Sequence, residues 1–210
     1  MLVKEFDCVI LANGEFPQSD ITRSYLQQAP YLIACDGAVN KLLDCNLKPD
    51  AIVGDLDSIS QERLDLFADI IHHNPDQETN DLTKSALFAR KAGFTKILIL
   101  GATGLREDHT LANISLLTLY KGMFENVYLV SDYGTFIPIT KTTTIATYPG
   151  QQVSIFALFP YGTITSEGLR YPVAERQLPL WWEGTLNEAL GDSFTLQLSG
   201  EGNVLVYLRH

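Results

Sequence analysis

Short apolar runs bounded by turn residues recur along the first part of the chain, at Cys8 to Ala12, Tyr31 to Cys35, Ala51 to Val53, Ile70 to Ile71, Lys96 to Leu100 and Val127 to Val130. Helix-sized segments separate them. That alternation predicts a Rossmann-like α/β domain, a mostly parallel sheet with crossover helices on both faces. Local signals place the helices. Ser19 or Asp20 can cap a first one, Ser60-Gln61-Glu62 opens another that runs to about Asp69, and Asp81 can cap Leu82 to Lys91 with Gly93 as its stop. Asp108 precedes Leu111 to Tyr120, and Gly122 ends that helix.

After about Ile137 the texture changes. Thr142 to Tyr148, Val153 to Phe159, Phe194 to Ser199 and Val204 to Leu208 are short β-rich runs, and Phe194, Leu196 and Leu198 alternate with polar residues at period two. Pro149-Gly150, Pro160-Tyr161-Gly162 and Gly200-Glu201-Gly202 supply turns. The pattern predicts two domains, 1–137 and 138–210, the second a smaller antiparallel β-sandwich.

Most strands of the first domain end in a chemically capable residue: Asn13-Gly14, Asp36-Gly37, Asp55 with Asp57, Asp76-Gln77 and Gly101. In open α/β sheets ligands bind beyond the carboxyl ends of the strands, so these groups should converge on one crevice. If the third strand continues to Asp57, its period of two puts Asp55 and Asp57 on one face. Two like charges about 4 Å apart repel by roughly 4 kcal/mol at an effective dielectric near 20, which asks for a cation, a shared proton or open water. A lone pair of this kind also fits a solvated strand end; flanking Gly54 and Ser58 favour a Mg²⁺ site. Asp76 to Lys84 reads either as a capped polar loop or as a phosphate-facing segment. Lys84, a cation in a first helical turn, opposes the helix dipole and so answers a nearby anion, either Asp81 or a bound phosphate. The loop from Gly101 to His109 can cradle phosphates through backbone N–H groups, with Arg106 adding forked donors. It is not a Walker A loop, and no G-x-G-x-x-G occurs in the chain.

Composition narrows the partners. The 46% apolar content is that of a globular protein, and the net charge of −10 argues against nucleic acid, whose binding relies on clustered Lys and Arg. An acidic protein can still bind a polyphosphate if a metal supplies the positive charge. Cys8, Cys35 and Cys45 form no C-x-x-C pair, no apolar run reaches the length of a membrane span, and the first seven residues do not read as a signal peptide. The expectation is a cytoplasmic protein with no membrane partner.

Taken together, these segments resemble the thiamin pyrophosphokinase family over nearly the whole chain. The resemblance lies in Asp36-Gly37-Ala38-Val39-Asn40, Gly54-Asp55-Leu56-Asp57-Ser58, Asp76 through Lys84, Gly104-Leu105-Arg106-Glu107-Asp108-His109, Gly168-Leu169-Arg170-Tyr171 and Leu186-Asn187. Ala38 and Leu105 replace family glycines, Asn80 a threonine and Leu186 a serine. The resemblance implies transfer of the pyrophosphoryl group of ATP to the hydroxyethyl oxygen of thiamin, releasing AMP, with Mg²⁺ as cofactor. It implies metal binding by Asp55, Asp57, Asp81 and Asp76, and a polyphosphate oriented by Gln77, Asn80, Lys84 and Arg106. Asn13, Gly37, Gly101 and His109 complete the nucleotide site. Asp36, Asp57 or Asp108 would accept the hydroxyl proton. It further implies a homodimer with thiamin between the catalytic domain of one chain and the β domain of the other, where Tyr171, one of the tryptophans (Trp181) and Asn187 face the partner's Gln77. Leu186 cannot make the hydrogen bond expected of the serine, so Asn187 or a backbone group must replace it. Two other classes fit the same acids: a Mg²⁺-dependent nucleotide phosphohydrolase, with water as nucleophile, and a non-catalytic thiamin or nucleotide sensor.

Overall fold

The computed structural model of the protein describes residues 5–158 and 162–210, so Phe159, most of the Pro160-Tyr161-Gly162 turn and the first four residues lie outside the described residues. Two compact units divide between Asp132 and Tyr133, a few residues before the change of texture at Ile137.

The first unit is built from alternating strands and helices: β1 (Cys8–Leu11), α1 (Asp20–Gln27), β2 (Leu32–Cys35), α2 (Ala38–Asp44), β3 (Ala51–Gly54), α3 (Gln61–Leu66), β4 (Ile71–His73), α4 (Asp81–Lys91), β5 (Lys96–Leu100), α5 (Glu107–Lys121) and β6 (Asn126–Ser131). All its strand pairs are parallel, in the order β6-β5-β1-β2-β3-β4. The central strands are continuous apolar runs, Cys8-Val9-Ile10-Leu11 and Leu32-Ile33-Ala34-Cys35, because helices cover a parallel sheet and leave no strand face to water. The chain passes from β4 at one edge to β5 beside β1, so the strand order reverses next to β1 and a crevice opens there.

Two local expectations change. The third strand stops at Gly54 instead of reaching Asp57, and Leu56 turns the chain at φ 68°, so a turn and not strand alternation brings the two aspartates together. Asn80 rather than Asp81 caps α4, accepting from Thr83 N at 2.9 Å. Helix α2 follows directly on Asp36-Gly37, where the apolar pattern carries no helix signal of its own; Ala38, Val39 and Leu42 bury its inner face.

The second unit contains β7 (Gly134–Ile139), β8 (Thr143–Ala146), β9 (Gln152–Ala157), β10 (Ile164–Glu167), β11 (Asn187–Glu188), β12 (Ser193–Leu198) and β13 (Val204–Arg209). Antiparallel pairing gives one sheet ordered β11-β9-β13-β7 and another ordered β10-β12-β8. Ile145, Ile155, Ile164, Phe194, Leu196 and Val206 share the core between them, which makes the unit a sandwich.

Asp132, just beyond β6, closes the first unit onto the start of α1. Its carboxylate accepts from Gln18 N at 2.9 Å, Ser19 N at 3.0 Å and the Thr22 hydroxyl. Burial pushes this carboxyl up, but the bonds from Thr22, Ser19 and Gln18 outweigh it and hold the pKa below the ordinary value. Asp132→Ala should therefore lose about 1–3 kcal/mol in urea unfolding near neutral pH. Because the folded pKa is depressed, this contribution is complete above the ordinary carboxylate value near 4 and is lost as pH falls through the folded value. The gap between wild type and variant should close in acid, and a pH-independent gap would count against this account.

Candidate active site

A crevice of about 510 Å³ opens at the carboxyl ends of β1, β2, β3 and β5. Its floor is acidic. One carboxylate oxygen from each of Asp36, Asp55 and Asp57 lies within 4.8 Å of the others. Gly54 makes this possible, since a Cβ there would sit 2.8 Å from the Asp36 Cβ and force the two strand ends apart. Asp36 holds φ 40° and is 5% exposed, and its Oδ1 is buried without a hydrogen-bond partner. An orphaned buried carboxylate oxygen is costly, and three clustered hard oxygen donors match what Mg²⁺ prefers, so the residues fit that ion.

Lys84 is the counter-charge. It is 3% exposed, and its Nζ lies 3.0 Å from Asp81 and 3.7 Å from Asp55. Burial draws the ammonium's pKa down, but Asp81 and Asp55 outweigh it and hold it above the ordinary lysine value, so it stays charged. Asp81 is raised all the same, because its burial and the nearby Asp55 and Asp36 together outweigh Lys84. The shift is first an effect of burial, to which the charges of Asp55 and Asp36 add.

At the rim, Arg106 is exposed and forks onto its neighbour Asp108, Nε to Oδ1 at 3.1 Å and Nη2 to Oδ2 at 2.6 Å. These bonds hold the Asp108 carboxyl down at about 2, with His109 N–H adding to them. Asn13, Gln77, Asn80 and His109 also line the crevice. Gln77 Nε2 reaches Asp55 at 3.4 Å, and Asn80 spends its Oδ1 on the α4 cap. Four of the site residues expected in the first unit do not line it: Gly37, Asp76, Gly101 and Asp108. Asp76 instead organises its own loop, accepting from Glu78 N at 3.0 Å and Thr79 Oγ1 at 2.8 Å. Cys35 also lines the crevice, but burial pushes its thiol up to about 12, so it offers no nucleophile.

Asn113, which belongs to none of the motifs described above, also lines the crevice and donates to Ala102 O at 2.8 Å. Its position one helical turn past His109 is the signal that could have found it.

In the second unit Tyr171 is exposed, and Trp181 is half-exposed with its ring edge-on to Phe156 at 6.2 Å. Asn187 is 6% exposed and fully engaged: Oδ1 accepts from Tyr171 N at 3.1 Å and Glu188 N at 2.9 Å, and Nδ2 donates to Tyr171 O at 2.7 Å. It fixes the backbone of Tyr171. Leu186, with φ 59°, is 77% exposed.

If the acidic floor takes a divalent cation, Mg²⁺ should raise the thermal unfolding midpoint of the purified protein in a concentration-dependent way. Asp57→Asn should shrink that rise. An equal rise in both proteins would remove the floor as the binding site.

Comparison with known proteins identifies the family. The model of the thiamin pyrophosphokinase catalytic domain matches residues 22–129, and that of the thiamin pyrophosphokinase substrate-binding domain matches residues 134–207. Thiamine pyrophosphokinase 1 of Arabidopsis thaliana is 26% identical over 201 aligned positions, which cover 81% of this chain and 74% of that one. Thiamine pyrophosphokinase of Bacillus subtilis is 33% identical over 112, covering 51% of each. Among solved structures, a thiamin pyrophosphokinase family protein from Enterococcus faecalis shares the fold with a TM-score of 0.80 at 18% identity, over 97% of this chain and 98% of that one. Two consecutive domain models, matched in the order of the two structural units, establish that the chain belongs to the thiamin pyrophosphokinase family.

Proposed function

We propose that the chain transfers the β,γ-pyrophosphoryl group of ATP to the hydroxyethyl oxygen of thiamin, giving thiamin diphosphate and AMP. The observation that carries this reading is the crevice itself, where Asp36, Asp55 and Asp57 gather beside Lys84 with Arg106 at the rim. In the step, the thiamin oxygen forms a bond to the β-phosphorus. The bond from that phosphorus to the bridging oxygen breaks, the oxygen leaves with AMP, and the hydroxyl proton passes to a carboxylate or to water. Little covalent work falls to the protein, so positioning and charge neutralisation dominate.

Asp36, Asp55 and Asp57 would hold Mg²⁺, with Asp81 beside them. When bound, that ion supplies the positive charge that lets a polyphosphate enter a crevice of carboxylates. Arg106 is free to exchange its exposed pairing with Asp108 for a phosphate oxygen, a partner it also binds in a fork. Asp108 is a weak base only while Arg106 stays paired with it, since those bonds hold its carboxyl down at about 2; moving Arg106 onto a phosphate would release it. Asp36, Asp57 and Asp108 all stay candidates for the proton, and single-turnover product formation by their Asn variants separates them.

Thiamin carries a flat cationic thiazolium ring, and exposed Tyr171, Trp181 and Trp182 in the second unit offer aromatic faces to it. With Asn187 occupied in holding Tyr171, recognition falls to these rings and to backbone groups near Leu186. The reading includes a homodimer that places thiamin between the catalytic unit of one chain and the β unit of the other, and the exposed Leu180, Trp182 and Leu186 suit such a contact. The free cysteines are those of a protein kept in a reducing compartment, in keeping with the cytoplasm. Among the described residues no helix is long and apolar enough to cross a membrane.

The purified protein with ATP, Mg²⁺ and thiamin should yield thiamin diphosphate and AMP in equal amounts. Phosphate release that ignores thiamin would mark a phosphohydrolase instead, and binding without turnover a sensor. Asp55→Asn should lower kcat by about 100-fold or more, measured at saturating Mg²⁺. Sedimentation at assay concentrations should find a dimer, and full activity in a monomer would overturn the shared thiamin site.

A further inference from the structure

We infer that Lys41, which does not line the crevice, is a positioning residue for the nucleotide: it locks the Asn13-Gly14 turn that forms one wall of the site. The inference rests on the reading that ATP occupies this crevice. The turn follows β1 at the place where strand order reverses, and both its residues line the crevice. On its amide side it is zipped to the loop after β5, Gly14 N to Gly101 O at 2.7 Å and Glu15 N to Thr103 O at 2.8 Å. A Cβ on Gly14 would lie 2.4 Å from Gly101 O, so the two loops meet backbone to backbone.

On its carbonyl side the turn is held by Lys41. The ammonium donates to Gly14 O at 2.6 Å and to Asn13 O at 3.2 Å, reaching from α2. Buried Ala38, Val39 and Leu42 root that helix in the core, so the lysine projects from a fixed base. Its neighbour Asn40 donates to Ser58 O at 3.2 Å and accepts from Arg63, which ties α2 to the end of the Asp55–Ser58 turn as well. One short helix therefore holds both the acidic turn and the Asn13-Gly14 wall. A charge-assisted bond is about twice as strong as a neutral one, and without it the two carbonyls would have to find water by moving the turn.

The test compares wild type, Lys41→Met and Lys41→Arg by calorimetric titration with Mg²⁺-ATP in the absence of thiamin, and by steady-state kinetics. Lys41→Met should raise the Kd and KM for ATP about 10-fold, while the KM for thiamin and kcat at saturating ATP change less than about threefold. Lys41→Arg, which keeps charge and donors, should recover most of the ATP affinity. An unchanged ATP affinity in Lys41→Met overturns the inference. So does a joint loss of kcat and both KM values with a lowered Tm, which marks a purely structural lysine. If Lys41→Met does not fold, Lys41→Gln is read by the same criteria, and failure of both to fold also overturns it. A wild type that binds Mg²⁺-ATP yet makes no thiamin diphosphate removes the functional reading and leaves the binding comparison to judge Lys41. A wild type that does not bind Mg²⁺-ATP removes both.

Discussion

The constraint on which the rest of this molecule depends is the crowding of carboxylates at the ends of adjacent parallel strands. Asp36, Asp55, Asp57 and Asp81 share one crevice with the buried ammonium of Lys84. At an effective dielectric near 20, each close pair of like charges costs about 3–4 kcal/mol, so a fold selected for stability alone would not build this floor. Burial adds a second cost, since it raises the Asp81 carboxyl and leaves one Asp36 oxygen without a hydrogen-bond partner. Such a defect is retained where a ligand relieves it, and three clustered oxygen donors fit a divalent cation.

The backbone around the crevice carries a matching strain. Asp36, Leu56 and Leu105 all hold positive φ, at 40°, 68° and 62°, without being glycine. Such positions cost about 1–3 kcal/mol each and persist only where the surroundings over-determine them. Here those surroundings are identifiable. Gly54 lets the Asp36 backbone approach, Ser58 O and the Asn13-Gly14 carbonyls are tied to α2, and Asn113 holds Ala102 O. The parallel sheet supplies a rigid base, and short side-chain ties to main-chain carbonyls convert it into a shaped site.

The second unit solves a different problem with ordinary means. Its sandwich core is apolar, and its chemistry sits on irregular backbone between β10 and β11. Both polar atoms of Asn187, a residue expected to touch substrate, are bonded to Tyr171 and Glu188, so its side chain shapes the loop that carries Tyr171. Leu186, exposed in a left-handed turn, presents an apolar group where the family pattern has a hydroxyl.

Much of this was legible in the sequence. Continuous apolar runs fixed the parallel strands, period-two alternation fixed β12, and acidic residues placed just past successive runs announced one crevice, because parallel strands end on the same side of a sheet. What remained hidden depended on side chains and backbone meeting from distant parts of the chain. The sequence could not show that β3 would stop at Gly54 and turn at Leu56, since Gly54 packs against the Asp36 backbone at the end of another strand. Nor could it show that Asp36 would join Asp55 and Asp57, or that Asp76 would stay with its own loop. Lys41 and the tie from Asn187 to Tyr171 were the least visible, because a hydrogen bond to a carbonyl 27 or 16 residues away leaves no local pattern. The sequence by itself determined which residues could carry charge to the end of a strand; tertiary structure alone decided which of them face each other, because like charges are brought together only by the packing of the whole sheet.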